Sequence, residues 1–384
     1  MKILQLVSDW KWTGTAEPML VLMEALRIRG HQVDLVCPQP PSTANRSLWQ
    51  EASKRHLTPA GSIMPLRRAA AAGDGDRVKR LRGWLLAEEL LGPYDIVHCW
   101  HSRDHVLAAR ALRMGLFGPA TRGGTKLVRF LSRAERVARW PWNRWLFGRA
   151  CDGLVCVNDE AVRTNRALRG GRAISVSAGA VDFKALEIRK NRQEMRFELG
   201  VPEDAKLIGV VARIQAHRRF DLLLDALSRV VRDQPEIILV VIGRGTHAEE
   251  VVRRPVRKMG LEKNVVFAGY RVEDYADMLG ALDLFTFLVP GSDGTCRALL
   301  QASAMGLPLV GTSRGAIPEI ISHGQTGLVV EENAVALAQA WASLLEDPFR
   351  LRQMGQAARS LAAERFSPEC FATRMEKFYS DLSA

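Results

Sequence analysis

The run LFTFL (284–288) is apolar and stops at Val289-Pro290, and Gly291, Ser292, Asp293 and Gly294 then supply turn and cap residues. Helix formers follow from Thr295 to Met305, until Gly306 and Pro308 forbid continuation. A second apolar run, PLVGT (308–312), comes next, and then GAIPEII, where Gly315 loosens a turn and Pro318 suits the first turn of another helix. Two short apolar runs joined by a capped helix read as a βαβ unit. Such a unit hides its strands only in a parallel sheet covered by helices on both faces.

The same segment offers a binding surface. The first turn expected at Thr295, Cys296 and Arg297 leaves backbone N–H groups unpaired at the positive end of the helix dipole, with a cationic side chain beside them. That is an anion site. Asp293 precedes the helix and Gln301 lies two turns in, about 12 Å away at 1.5 Å per residue, so an extended ligand reaches both.

Strand and helix alternate through the rest of the chain. MKILQLVSDWKWTGTAEPMLVLMEALRIRGHQVDLVCP opens with a strand, bends at Thr13-Gly14-Thr15, runs a helix with Met19, Leu22, Met23 and Leu26 on one face, and returns at Gly30 to a second strand. DIVHCWHSRDHVLAARAL (95–112) is a strand running into a helix, with His98 and His101 at the strand's carboxyl end, where open α/β sheets bind ligands. After the next strand, KLVRFLSR (126–133) offers Arg129 or Ser132. With 384 residues, the alternation predicts an α/β protein of two doubly wound parallel sheets. The expected division is 1–185 and 192–364, joined through the charged stretch at 184–195, with a last helix at 365–384.

At these residues the chain resembles the retaining GT-B glycosyltransferases of family 4. The resemblance rests on Asp293-Gly294, then Gln301 through Thr312, GAIPEI, and GQTGLV, and it extends along nearly the whole chain. It implies the GT-B architecture, two Rossmann-like domains facing a cleft, the first binding an acceptor and the second a nucleotide-sugar, with the final helix crossing back to the first. The family carries two glutamates spaced by seven residues in this segment, one near the donor sugar and one on the ribose; here they map to Asp293 and Gln301. The run KLIGVVARIQAHRRFDLLLDAL (206–227) resembles the family's donor-diphosphate clamp, with Arg213 at its arginine and Arg218 where lysine is expected. An arginine fork holds phosphate oxygens bidentately. IILVVIGRG (237–245) and NVVFAGY (264–270) resemble the strands whose ends approach the base, which gives Gly243, Gly269, Tyr270 and Arg271 a donor-binding role. Gly14 matches a glycine turn lying against the donor phosphates, and His101 a sugar-side histidine.

What the resemblance implies is transfer of a sugar from a nucleotide-diphosphate sugar to a hydroxyl of a glycan, lipid-linked or lipopolysaccharide-type acceptor. Retention of configuration is implied, with no metal and no cofactor besides the donor. Asp293, Arg213, Arg218 and His101 are the catalytic candidates. Gly14, Gly243, Gly269, Tyr270, Arg271, Gly294, Thr295, Cys296, Arg297 and Gln301 are the donor-binding ones. A related GT-B phosphorylase or epimerase, and a degenerate member that binds nucleotide-sugar without transferring it, use the same residues. An NAD dehydrogenase resting on Gly243-x-Gly245 lacks the third glycine of that fingerprint.

Charge is unevenly placed. Residues 1–190 hold 31 Lys and Arg against 17 Asp and Glu, net +14, and the remainder 23 against 25, net −2. The stretch 129–149 interleaves Arg129, Arg133, Arg136, Arg139, Arg144 and Arg149 with Trp140, Trp142, Trp145 and Phe147, a composition suited to an anionic membrane surface or an anionic acceptor. No nucleic-acid recognition motif accompanies the charge, and nucleic acid is not expected as a partner. The six cysteines show no paired metal spacing, and reduced thiols are expected. No apolar run approaches the roughly 18 residues of a membrane span. A cytoplasmic protein, peripheral on the inner face of the membrane, is the expectation. The loop RRAAAAGDGD (67–76) is expected to stay mobile.

Overall fold

A computed structural model of the chain describes residues 1–44, 46–57, 59–60, 78, 81, 94–113, 124–132, 136–166, 173–291 and 294–383. The 67–76 loop lies outside them. Contacts divide the chain into two compact units, Met1–Ala180 with Asp293–Thr295 and Pro368–Ala384, and Val181–Ser292 with Cys296–Ser367.

The first unit is built on six parallel strands among the described residues: β1 (Lys2–Leu6), β2 (Gln32–Val36), β3 (Ile96–Cys99), β4 (Lys126–Leu131), β5 (Gly153–Cys156) and β6 (Ala173–Val176), in spatial order β2-β1-β3-β4-β5-β6. Every residue of β1, β3 and β5 is buried, because helices cover both faces of the sheet. The helix Ala16–Ile28 is buried on more than the single face its periodicity suggests: Leu20 and Val21 are as inaccessible as Met19, Leu22, Met23 and Leu26. The reason is the C-terminal helix Pro368–Ser383, which packs on it. Phe371, Met375 and Tyr379 of that helix are buried, and Glu376 pairs with Arg29 and with His31, the latter at 2.7 Å. Gly153 is required where it passes this helix, since a Cβ there would stand 2.7 Å from the Phe378 ring.

The second unit repeats the plan with β7 (Lys206–Val211), β8 (Ile237–Ile242), β9 (Val265–Gly269), β10 (Leu284–Phe287), β11 (Leu309–Thr312) and β12 (Gly327–Val330), in order β12-β11-β10-β7-β8-β9, all parallel. All six residues of β8 are buried. The helix expected over 295–305 runs from Arg297 to Ala304, with Cys296 at its N-cap position. It starts late because Gly294 takes a left-handed φ of 78°, which delays the helical backbone. Residues 184–195 pack on this unit. The Asp277 carboxylate accepts the Arg189 and Lys190 N–H groups at 2.6 and 3.1 Å, and Asn191 caps the helix Arg192–Glu198 in a capping box with Glu194.

All six cysteines are free, and five are buried. Burial pushes the Cys37 and Cys156 thiols up to about 12, so they stay protonated and unreactive at neutral pH.

Candidate active site

In each sheet the strand order reverses at one place. β1 leads outward to β2 and β3 starts on its other side; β7 leads to β8 and β9, and β10 starts on the other side of β7. Loops leaving the carboxyl ends on either side of such a reversal splay apart and leave a crevice, which is where open α/β sheets bind ligands. Most of the candidate residues lie on loops at these carboxyl ends.

In the first unit the β1 loop carries Gly14 and the β3 loop carries His101. They are brought together through Thr15, whose buried hydroxyl stands 3.5 Å from His101 Nε2 and 3.1 Å from the Thr13 hydroxyl. Asp104, fully buried in the first turn of the helix Ser102–Arg113, organises both loops. Its carboxylate accepts the Ser8 N–H at 2.7 Å, the His101 N–H at 2.7 Å and the Trp100 N–H at 3.2 Å. Sequence reasoning missed Thr15 and Asp104. The signal for Asp104 was local, a carboxylate in a helix's first turn, where it meets unpaired N–H groups.

His98 and His101 part company. His98 is buried, its Nδ1 is 2.7 Å from the Tyr379 hydroxyl, and its ring stacks on Trp100 at 5.0 Å. Burial, reinforced by the nearby Arg129 charge, pulls it down to about 3, so it is neutral and holds the C-terminal helix to the sheet. His101 keeps about a third of its side chain exposed. Arg129 is buried within β4, where Nη1 donates to the Cys99 carbonyl at 3.4 Å and Nη2 to the Ser102 hydroxyl at 3.3 Å. It therefore leaves the basic surface expected over 129–149. Phe147 leaves it too, buried edge-on against His105 at 5.0 Å. A strand interior and a helix facing the core claim both residues regardless of composition.

In the second unit Arg213 is exposed just beyond β7. Arg218 is buried, and its Nη1 donates to the Val289 carbonyl at 3.2 Å and to the Pro290 carbonyl. It thus ties the β7 loop to the β10 loop across the strand reversal. Arg219 follows in the left-handed region with φ 59°, held by Asp221 at 3.2 Å and by Glu332, which also pairs with Arg314.

Gly243, at φ 151°, donates to the Gly269 carbonyl at 2.8 Å and lies so close to β7 that a Cβ would stand 2.0 Å from the Ala212 carbonyl oxygen. Gly245 repeats this against the Ile214 carbonyl at 2.1 Å. Gly269, φ 75°, faces open space, and beside it Tyr270 is half exposed under the Arg244 guanidinium at 4.7 Å. The Arg271 side chain turns back to the Ala268 carbonyl and Asp274, each at 2.7 Å. Gly294, Thr295 and Cys296 lead into the helix that opens at Arg297, with Thr295, Cys296 and Gln301 all buried. Asp293 lies outside the described residues.

Residues 13–183 match the Glycosyltransferase Family 4 family, and residues 191–361 match Glycosyl transferases group 1. The N-acetyl-alpha-D-glucosaminyl L-malate synthase of Bacillus anthracis is 27% identical over 195 residues, half of this chain and half of its own length. The phosphatidyl-myo-inositol mannosyltransferase of Mycobacterium leprae is 26% identical over 96% of this chain and 93% of its own. Among solved structures, Anabaena Alr3699/HepE in complex with UDP superimposes with a TM-score of 0.79 over 99% of this chain and 100% of its own, at 18% identity, a likeness of fold.

Proposed function

Because the two halves of the chain belong to glycosyltransferase family 4 and glycosyl transferases group 1, on a GT-B fold, we propose that it moves a sugar from a nucleoside-diphosphate sugar to an acceptor hydroxyl on a glycan, a lipid-linked sugar or a lipopolysaccharide-type molecule. The observation that carries this reading is the strand reversal of the second unit. There an exposed cation, Arg213, two glycine-lined strand ends and a helix start at Arg297 share one sheet edge.

The chemistry asked of this edge is stabilisation of a leaving diphosphate. The bond from the anomeric carbon to the diphosphate oxygen breaks, the bond from the anomeric carbon to the acceptor oxygen forms on the same face, and the acceptor proton passes to the departing phosphate oxygen. Configuration is retained. Arg213 and the N–H groups opening the helix at Arg297 neutralise the diphosphate as it leaves, with no metal required. Arg218 acts beside them by fixing the 289–290 turn. Asp293 is assigned to the transferred sugar, Gln301 to the ribose, and the Gly243, Gly269 and Tyr270 edge to the base. In the first unit His101, backed by Thr15, faces the acceptor side.

The relatives support the donor and acceptor classes by name only: HepE was solved with UDP, and the mycobacterial relative is a phosphatidyl-myo-inositol mannosyltransferase. A thermal-shift screen of nucleoside diphosphates and their sugars tests the reading, since a ligand at 100 times its Kd stabilises by about 2.7 kcal/mol. The matching donor should then be consumed with a sugar-acceptor product formed in the presence of EDTA, and the product linkage should keep the donor's anomeric configuration. Inversion, or activity that disappears with EDTA and returns with magnesium or manganese, overturns those parts of the mechanism. Binding of a nucleoside diphosphate with no turnover on any acceptor would leave a binding protein, a reading motivated by Gln301 standing where the family carries a glutamate.

A further inference from the structure

Two tryptophans of the first unit stand in water. Trp140 is 74% exposed and Trp142 42% exposed. Tryptophan is among the side chains that gain most from leaving water, so two together mark a surface that something covers. Their placement follows from the local chain. Trp140 takes an extended backbone, φ −67° and ψ 154°, as the residue before a helix, and Pro141 opens that helix, Pro141–Trp145. The segment is rooted from below by Leu146, Phe147 and Ala150, all buried, and by Trp145, half-buried against the core. Trp142 tilts against Trp145 at 5.0 Å, which occupies one face of its ring.

Arginines flank these tryptophans in the chain. Arg136, Arg139, Arg144 and Arg149 are exposed, the stretch 136–149 contains no Asp or Glu, and none of the four forms an ion pair among the described residues. No described helix is long and apolar enough to cross a membrane. An apolar tip flanked in the chain by exposed cations, on a unit of strongly positive charge, complements a surface that is anionic outside and apolar a few ångströms further in.

We propose that Trp140, Pro141 and Trp142 form a wedge that enters the headgroup layer of an anionic phospholipid bilayer, with Arg136, Arg139, Arg144 and Arg149 holding lipid phosphates around it. Arginine suits this because its planar fork binds phosphate oxygens bidentately while its stem lies along apolar surface. A single-stranded nucleic acid also recruits tryptophan and arginine, but it stacks bases on open ring faces, and Trp142 already spends one face on Trp145. The surface serves the protein whether or not sugar transfer is its chemistry.

The test uses the full chain without donor or acceptor, sedimented with phosphatidylcholine vesicles or with an equal mixture of phosphatidylcholine and phosphatidylglycerol. The expected result is binding to the mixed vesicles alone, weakened but not abolished at about 0.5 M salt, where charge is screened within a few ångströms. Arg139→Glu with Arg144→Glu should lower partitioning by about tenfold or more. Trp140→Ala with Trp142→Ala should remove the salt-resistant part. Brominated lipid should quench tryptophan fluorescence of the native protein, and less so after Trp140→Phe with Trp142→Phe, a readout that holds even if the alanine pair folds poorly. Equal recovery in the supernatant with both lipids overturns the proposal, as does vesicle binding unchanged by all these substitutions, or an oligonucleotide bound more tightly than vesicles through the same residues. None of these failures touches the glycosyltransferase reading, which nucleoside-diphosphate binding decides separately.

Discussion

The Thr15 hydroxyl stands 3.5 Å from His101 Nε2, although 86 positions separate them in the chain. The contact joins the β1 loop to the β3 loop at the point where the first sheet reverses its strand order. It places an imidazole with an exposed edge beside the Gly14 turn, held from behind by the Asp104 carboxylate on its own backbone N–H. His101→Ala should therefore lower kcat for sugar transfer by roughly a hundredfold, the scale of a lost proton-handling or orienting group. Nucleoside-diphosphate binding, read by thermal shift, should hardly change. Activity within threefold of the parent removes His101 from the site.

The two arginines after β7 should separate cleanly. Arg213 is exposed, so Arg213→Ala should leave the melting temperature of the ligand-free protein unchanged and weaken nucleoside-diphosphate binding by about 2 kcal/mol, the loss of a charge-assisted hydrogen bond. Arg218 holds two carbonyls from a buried position, so Arg218→Ala should also unfold more easily without ligand, by about 1–3 kcal/mol. Calorimetric melting with and without ligand distinguishes them, and identical behaviour of the two variants would contradict the geometry.

Gly243 tests the close approach of β8 to β7. Gly243→Ala puts a methyl group 2.0 Å from the backbone oxygen of Ala212, whose own N–H donates to the Ile242 carbonyl at 3.1 Å, at a φ that L residues rarely adopt. A loss of about 2–4 kcal/mol is expected from overpacking and backbone strain together, visible in urea unfolding. Gly269→Ala has open space around it and should cost only the left-handed backbone, about 1–2 kcal/mol. Equal costs at the two glycines would mean the approach is looser than described.

Acid should destabilise the first unit through His98. Its folded pKa lies near 3 and its unfolded value near 6.5, so the unfolded chain takes up a proton first as pH falls. The stability that the neutral ring contributes is fully present above about pH 6.5 and is lost, at about 1.4 kcal/mol per pH unit, between there and about pH 3. His105, buried against Phe147 and shifted in the same direction by burial, adds to the slope. Tyr379→Phe should cost about 1–2 kcal/mol at neutral pH by leaving His98 Nδ1 without its partner. Stability measured from pH 7 to 4.5 that stays flat would show both rings to be protonated or solvated in the folded protein.

The altered carboxylate pair gives a graded comparison. Gln301→Glu should be tolerated and tighten the donor if the ribose lies there, whereas Asp293→Ala should reduce turnover more than nucleotide binding, because only Asp293 is assigned to the part of the donor that reacts. Full turnover in the Asp293 variant would break the alignment on which both assignments stand.

Much of the architecture was readable from short stretches. Val289-Pro290 ending a strand, Gly306 with Pro308 ending a helix, Pro318 opening one and the fully apolar β8 all act through their own backbone or immediate neighbours, so they mean the same thing in any fold. The candidate-site signatures were likewise local, because a glycine that meets another backbone or the opening of a helix is specified within a few residues.

Side-chain fate was not legible in the same way. Arg129 and Arg139 look alike in sequence, yet one is inside β4 against Cys99 and Ser102 while the other is in water. Phe147 and Trp142 differ likewise, five residues apart, because one faces a helix and the other does not. His98 and His101 read as a pair until a tyrosine 281 positions away claims the first. Which segments become strands, helices and turns could be read along the chain, since those follow from backbone propensity, capping and period. Which polar groups are buried, paired or left open to a ligand emerges with folding, since burial and pairing depend on partners brought from as far as hundreds of residues away.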